Sequence, residues 1–269
     1  MIKVSLVIST YNRKEALYLT LLSVSRQTVL PYEVVIADDG SREDTKTMLK
    51  ELKTKLPFTL KHVWHEDKGF QKTVIMNKAF AACEGDYIIQ TDGDIILEKH
   101  FIADHISEAR LGYYMHGSRG KLSKELTQKC IQEKNYHFNF FSQGAHRKLN
   151  IFRCPLLTPF FHYYKKNKKE RGCNMAFWKK DVYAVNGYDE RIIGYGFEDI
   201  DLTARLRRLG IKKRLVKFKA IEYHLEHPEA STKRDMSANQ KIFDSNNSQG
   251  IIKAPKGIDQ YIQTQSIIE

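Results

Sequence analysis

An α/β fold built on a mostly parallel sheet is predicted by three observations. Strand-like and helix-like segments alternate through the first part of the chain, each strand is a short apolar run, and polar or acidic residues gather where each strand ends. Val4 to Ser9 is the first such run, and Leu17, Leu21 and Val24 follow at helical spacing. Tyr32 to Asp38 is the second strand, after which Ser41 and Asp44 have the spacing of a capping box that opens a helix through Leu52. Leu60 to His65 is a third strand, Gln71 to Cys83 a third helix and Tyr87 to Thr91 a fourth strand. Such alternation implies parallel strands covered by helices on both faces.

The second half reads differently. Residues 112 to 175 are short on helical periodicity and rich in aromatic and basic residues, among them Tyr136, Phe138, Phe140, Phe141, Phe160, Phe161, Tyr163 and Tyr164, which predicts a lid or acceptor loop. Regular structure resumes over Trp178 to Gly187. Gly194 to Asp199 then leads into an amphipathic helix carrying Leu202, Leu206 and Leu209, with Gly210 as its stop signal. Asp201 and Arg205, four apart, are expected to pair on its surface. The tail from Ser231 to Glu269 has helical hints around Met236 to Phe243 and reads as a helical tail or lid.

The chain has 269 residues, 42% of them hydrophobic, enough for one large domain with its own core. No run is apolar for the roughly 18 residues a bilayer span requires, and Met1 to Ile8 enters a strand pattern at once, unlike a signal peptide. Cys83, Cys130, Cys154 and Cys173 form no paired metal-ligand pattern and no dense disulfide framework, so a reducing cytoplasm is expected. The 44 basic against 32 acidic residues give a net charge of +12, concentrated in runs such as Lys165 to Arg171 and Lys212-Lys213-Arg214. Basic surface attracts any polyanion, whether nucleic acid, lipid headgroup or nucleotide diphosphate. Each run also reads simply as a solvated face.

In open parallel sheets, ligands bind outside the carboxyl ends of the strands. Those ends carry Thr10, Tyr11, Asn12 and Arg13; Asp38, Asp39, Gly40 and Ser41; Glu66 to Phe70; and Asp92-Gly93-Asp94. Two carboxylates one residue apart at a strand end suit a divalent cation shared with phosphates, because magnesium-type ions bind one or two carboxylates plus substrate oxygens. An Asp-Gly-Asp segment is also an ordinary turn. With an aromatic ring for a base and a cationic side chain nearby, the set describes a nucleotide-diphosphate pocket.

Val7 to Arg13, Asp38 to Ser41, Gly85-Asp86-Tyr87, Asp92-Gly93-Asp94, Gly172 to Phe177, Gly187-Tyr188-Asp189-Glu190 and Gly194 to Asp201 together resemble, in order, the motifs of the family 2 glycosyltransferases. The last segment is similar to the catalytic segment of chondroitin polymerases and β1,4-galactosyltransferases. Two departures stand out: Met76 precedes Asn77 where many relatives carry arginine, and Phe197 replaces a glycine.

The resemblance implies a Rossmann-like GT-A fold over residues 1 to 230, with a nucleotide-sugar half to residue 110 and an acceptor half from 111. It implies that Asp39 pairs with a uracil ring, Thr10 and Tyr11 frame the base, and Asp92 touches the ribose. Asp94 would be the main ligand of Mn²⁺ or Mg²⁺, joined by His224, with His227 the second choice. Imidazole ligation favours manganese over calcium-like ions. Arg13, Gly93 and Lys72 complete the candidate contacts of the UDP-sugar, with Lys68 to Lys72 adding charge to the diphosphate, although two lysines in a loop also read as merely solvated. Asn174 and Trp178 lie where relatives touch donor or acceptor sugar, although Trp178 reads equally as core.

Asp199 is the expected general base and Glu198 a partner of an acceptor hydroxyl. The predicted place of Asp199 at a helix N-terminus would favour its ionised form. A single base with no carboxylate nucleophile suggests one displacement, hence inversion.

The chain is therefore expected to be an inverting, metal-dependent transferase moving a hexose or hexosamine from a UDP-sugar to a free or lipid-linked saccharide, in bacterial surface polysaccharide or lipopolysaccharide synthesis. No nucleic acid is expected as partner; peripheral contact with the inner face of the plasma membrane is. A nucleotide-sugar hydrolase or nucleotidyltransferase would use the same pocket without the Glu198-Asp199 segment. A basic nucleic-acid binder would show a steep salt dependence and have no use for carboxylates at strand ends.

Overall fold

The computed structural model describes residues 2–162, 170, 172–227 and 235–262. Tyr163, Tyr164, most of the basic run 165–171 and parts of the tail at 231–234 and 263–269 lie outside the described residues.

Strands β1 (Val4–Thr10), β2 (Glu33–Asp38), β3 (Thr59–Trp64) and β4 (Tyr87–Asp92) alternate with helices α1 (Lys14–Val24), α2 (Glu43–Lys53) and α3 (Lys72–Ala82), as the apolar pattern predicts. β5 (Ile95–Leu97), α4 (Phe101–Glu108), β6 (Tyr113–His116), β7 (Ser118–Leu122), α5 (Lys124–Glu133), β8 (Ala145–His146) and α6 (Lys148–Ile151) follow. The chain continues through β9 (Met175–Trp178), α7 (Lys179–Ala184), α8 (Glu198–Arg208), β10 (Lys212–Leu215), β11 (Ile221–His224), α9 (Ser237–Ser248) and α10 (Asp259–Ile262).

The main sheet has the order β10-β6-β9-β4-β1-β2-β3, with β9 antiparallel to both its neighbours and the other pairs parallel. Side chains alternate across a strand, and both sides of this sheet are filled. Leu6, Ile8, Val34, Ile36 and Ile89 meet Leu17, Leu21 and Leu49 of α1 and α2 on one face. Val7, Val35 and Ile88 meet Ile75, Phe80, Leu202 and Leu206 of α3 and α8 on the other. A smaller sheet, β5-β11-β7-β8, packs against α1 and α5. No helix among the described residues is long and apolar enough to cross a membrane.

Four local expectations are corrected. The segment 112–175, expected to lack helix, holds β6, β7, β8, α6 and the ten-residue α5; Ser123 caps α5 by accepting a hydrogen bond from the Leu126 amide, and Thr127 and Cys130 form its buried side. Ser41 does not cap α2, whose N-cap is Arg42: the Ser41 hydroxyl accepts from the Asn12 amide, and its own amide donates to Asp38. The run Lys212 to Arg214 forms the edge strand β10, with Arg214 buried on Glu108 at 2.7 Å.

Asp201 and Arg205 form no surface pair, since both are fully buried and 2.7 Å apart. Arg205 also donates to the Val185 carbonyl, and Asp201 accepts from Asn246 of α9. Removing one member of a buried pair leaves the other uncompensated, at a cost of about 3–5 kcal/mol. Arg205→Ala should therefore lower unfolding free energy by about that much in urea melts, whereas a surface pair would contribute under about 1 kcal/mol.

Candidate active site

The carboxyl ends of β1, β2 and β4 open on one mouth, because these strands run parallel with Thr10 paired to Asp38 and Ser9 to Asp92. β11 reaches the same mouth: the amide of Leu225, just past its end, donates to the Asp94 carbonyl. That delivers His224 and His227 to Asp94. The His227 Nε2 lies 3.1 Å and the His224 Nε2 3.7 Å from Asp94 Oδ2. One donor atom from each of the three residues lies within 4.8 Å of the others. Arg13 Nη1 donates to the same carboxylate at 2.9 Å, while buried Asp94 Oδ1 has no hydrogen-bond partner among the described residues. Burial opposes ionisation of Asp94, but the His227 hydrogen bond and the charges of His224 and Arg13 hold its pKa below the usual range. Burial lowers His224 to about 4, so it is neutral at pH 7 with a lone pair to offer. A carboxylate with an open oxygen beside two imidazoles fits a first-row divalent ion such as Mn²⁺.

Asp92 is fixed by Ser9 Oγ at 2.7 Å and Lys72 Nζ at 2.9 Å, both donating to Oδ1. Lys72 links the two halves of the site. Burial works against its charge, but the nearby carboxylates of Asp92, Asp199 and Glu198 hold it protonated far above the ordinary lysine value. On the other side of the mouth, Gly194, Gly196 and Phe197 all take positive φ, which folds the loop tightly before α8. At Gly196 the φ of 99° is what calls for glycine, because the only near neighbour of a Cβ there among the described residues is the exposed, flexible Met236 side chain, which can turn away. Phe197, at φ 73°, occupies a backbone state that glycine adopts freely, and its ring packs on Phe243 of α9 at 5.6 Å.

Glu198 and Asp199 open α8. Tyr188 Oη donates to Asp199 Oδ1 at 2.9 Å and the Gly172 amide to Oδ2 at 2.6 Å, fixing the carboxylate plane. Glu198 is buried and its Oε2 has no partner among the described residues. Burial, then the Asp199 charge, pushes Glu198 up to about 7, with Lys72 opposing. Burial likewise raises Asp199, again offset first by Lys72.

The model of glycosyl transferase family 2 matches residues 5–168, more than half the chain. The chain belongs to glycosyl transferase family 2. A second model, described as the N-terminal domain of galactosyltransferase, matches residues 153–228. The chain is 27% identical over 264 residues to the chondroitin synthase of Escherichia coli, covering 88% of this chain and 37% of the relative. To an uncharacterized glycosyltransferase of Bacillus subtilis (strain 168), YfnE, it is 28% identical over 268 residues, covering 84% and 65%. It thus spans from about a third to somewhat under two thirds of these relatives. The structure of GalNAc-T7 with UDP, GalNAc and Mn²⁺ superposes with a TM-score of 0.63 at 17% identity, covering 87% of this chain and 45% of that one. That similarity, with those of other solved glycosyltransferases, assigns the GT-A fold.

Within this family 2 chain, Arg13, Asp92, Gly93, Asp94, Lys72, His224, His227, Glu198 and Asp199 lie around the mouth. Thr10 is buried there with its hydroxyl unpartnered, and Tyr11 is half exposed with its hydroxyl on Asp67. Asp39 accepts from His65 Nε2 at 2.7 Å and from the Gln71 amide at 2.9 Å, which leaves one lone pair per oxygen for a base.

Two candidates are placed elsewhere. Asn174 is buried, its amide nitrogen donating to the Ser118 and Ala220 carbonyls and its oxygen accepting from His105, so it ties β7 and β11 together rather than facing a sugar. Trp178 pairs with Tyr87, at the end of β4 opposite Asp92, packs edge-on against that ring and donates to the Arg110 carbonyl. Sequence reasoning missed Ser9, His65 and Tyr188 as the groups that orient Asp92, Asp39 and Asp199. Tyr188 stood inside a recognised Gly-Tyr-Asp-Glu segment, but nothing in one sequence tells that its hydroxyl reaches eleven residues on.

Proposed function

We propose that the protein is an inverting, metal-dependent hexosyl- or hexosaminyltransferase that uses a UDP-sugar to glycosylate a saccharide acceptor in bacterial surface polysaccharide or lipopolysaccharide synthesis. The observation that carries this is the meeting of Asp94, His224 and His227 with the Lys72–Asp92 pair and the Glu198–Asp199 carboxylates at one mouth. Asp94 and the two histidines would hold Mn²⁺ or Mg²⁺, which when bound supplies positive charge to a diphosphate leaving group. The chondroitin synthase relative and the UDP, GalNAc and Mn²⁺ bound by GalNAc-T7 support a UDP-sugar, a divalent ion and a saccharide acceptor. The four free cysteines support a reducing compartment.

In this reading Lys72 neutralises charge between donor and catalytic pair. The unpartnered Glu198 Oε2 accepts a hydrogen bond from an acceptor hydroxyl. The Asp199 carboxylate, held by Tyr188 and Gly172, takes the proton of the attacking hydroxyl as its oxygen bonds to the anomeric carbon and the bond to the diphosphate oxygen breaks. The test is UDP release from a panel of UDP-sugars with saccharide acceptors, in Mn²⁺ or EDTA. Turnover of one donor that EDTA abolishes is expected; equal turnover in EDTA, or none with any donor, sinks the proposal.

A further inference from the structure

The aromatic middle of the chain forms a surface that nothing in the active site uses. Phe141, Phe140, Phe152, Phe218 and Phe161 make a chain of edge-to-face rings with successive centroid distances of 5.4, 5.5, 5.9 and 5.1 Å. Its free end is in water, with Phe141 84% exposed. The 3₁₀ segment Pro155–Phe161 runs beside it, tied down where the Cys154 amide donates to the Phe218 carbonyl and Thr158 Oγ1 to the Lys217 carbonyl. This segment is inside out: polar Thr158 is fully buried, while Leu156 and Phe160 are 85% and 81% exposed. Apolar side chains turned to solvent by a polar, hydrogen-bonded inner face mark a surface that meets something other than water.

The charge around these rings says what that is. Lys217 lies over the Phe161 and Phe218 rings at 5.2 and 5.1 Å, and Lys148 over Phe140 at 5.8 Å, beside exposed Arg147. No Asp or Glu stands between Glu133 and Glu170 in the sequence. Protruding rings and leucines with lysine stems among them are a combination suited to a bilayer interface, where apolar tips enter the acyl boundary and cationic heads stay with phosphates. The turn that presents Phe218 holds two non-glycine residues at positive φ, Phe218 at 66° and Ala220 at 47°, a strain kept where surrounding contacts enforce it.

We infer that the surface formed by Phe141, Leu156, Phe160, Arg147 and Lys217 docks the protein onto an anionic lipid bilayer. This goes beyond the transferase reading and does not depend on it. Phe218 stands three residues before β11, the strand ending in His224, so the docked surface and the metal-ligand cluster share one short stretch of chain.

The full chain should co-sediment with phosphatidylcholine vesicles containing phosphatidylglycerol, and far less with phosphatidylcholine alone. A combined Phe141→Ser, Leu156→Ser and Phe160→Ser variant should bind at least ~10-fold more weakly, and Arg147→Ala with Lys217→Ala at least ~5-fold more weakly, both retaining the wild-type melting temperature. Independently of those variants, Phe160→Trp should give a blue shift in emission, and quenching by brominated lipid, on addition of the anionic vesicles. Absence of sedimentation with anionic vesicles, binding unchanged in the triple variant, or self-association that the triple variant abolishes without any lipid binding would each overturn the inference, the last by making the surface a protein interface.

Discussion

An Asp94→Ala variant is expected to turn over UDP-sugar about 10³-fold more slowly than the wild type, because a divalent ion contributes several kcal/mol to stabilising the leaving group and each 1.4 kcal/mol is about tenfold in rate. Among the described residues, Asp94 is the sole carboxylate in its cluster and the residue to which both histidines and Arg13 point. Alanine would leave two imidazoles beside a guanidinium with no anionic donor to neutralise a bound cation. Mn²⁺ affinity, measured by electron paramagnetic resonance without donor, should fall in parallel, and a thermal melt would separate this from unfolding. His224 and His227 differ in kind: the first is buried and neutral down to about pH 4, the second a third exposed. The His224 ligand should thus stay available for metal until about pH 4. Wild-type Mn²⁺ affinity in Asp94→Ala would refute the assignment.

The second large effect is expected at the mouth of α8. Asp199→Asn should lower kcat by roughly 10²–10⁴-fold, the usual contribution of a positioned base, with little change in KM for the donor. Its pH dependence separates the two carboxylates. As pH falls, Glu198 takes up a proton near 7, and that proton removes the negative neighbour without touching the Asp199 base. Activity with Asp199 as base should therefore persist below pH 7 and fall about tenfold per unit only once Asp199 protonates. Glu198→Gln should act mainly on acceptor KM. An acid limb centred near 7 that disappears in Glu198→Gln, with Asp199→Asn still active, would exchange the two roles.

Much of this was legible before any coordinates. Short apolar runs and helix signals located β1 to β4, α2 and α3 within a residue or two, and Leu17, Leu21 and Val24 fall inside α1, because a buried parallel strand must be continuously apolar. Strand ends then identified the carboxylates, since the topology directs them to one side. What stayed hidden depended on long-range partners. Asn174 looked like a sugar contact because a polar residue beside a motif resembles a ligand; only its three partners in β7, α4 and the turn before β11 reveal a structural bond. The i,i+4 spacing of Asp201 and Arg205 is the same on a surface or in a core, and burial is decided by α9, some forty residues away. Helix α5 was not legible because Thr127 and Cys130 alone form its buried side, too few apolar positions to set a helical period.

The two family models end at residues 168 and 228, short of α9. Yet the amide of Asn239 on that helix donates to the carbonyls of Ile193 and Gly196, Asn246 bridges Asp189 and Asp201, and Phe243 covers the strained Phe197. The loop ahead of Glu198 and Asp199 therefore has its hydrogen bonds completed from beyond the shared family segment. Homologues with the same motifs but a different sequence after residue 228 would have to close this loop by other means, so the shape of this loop is free to diverge while every recognisable motif stays the same.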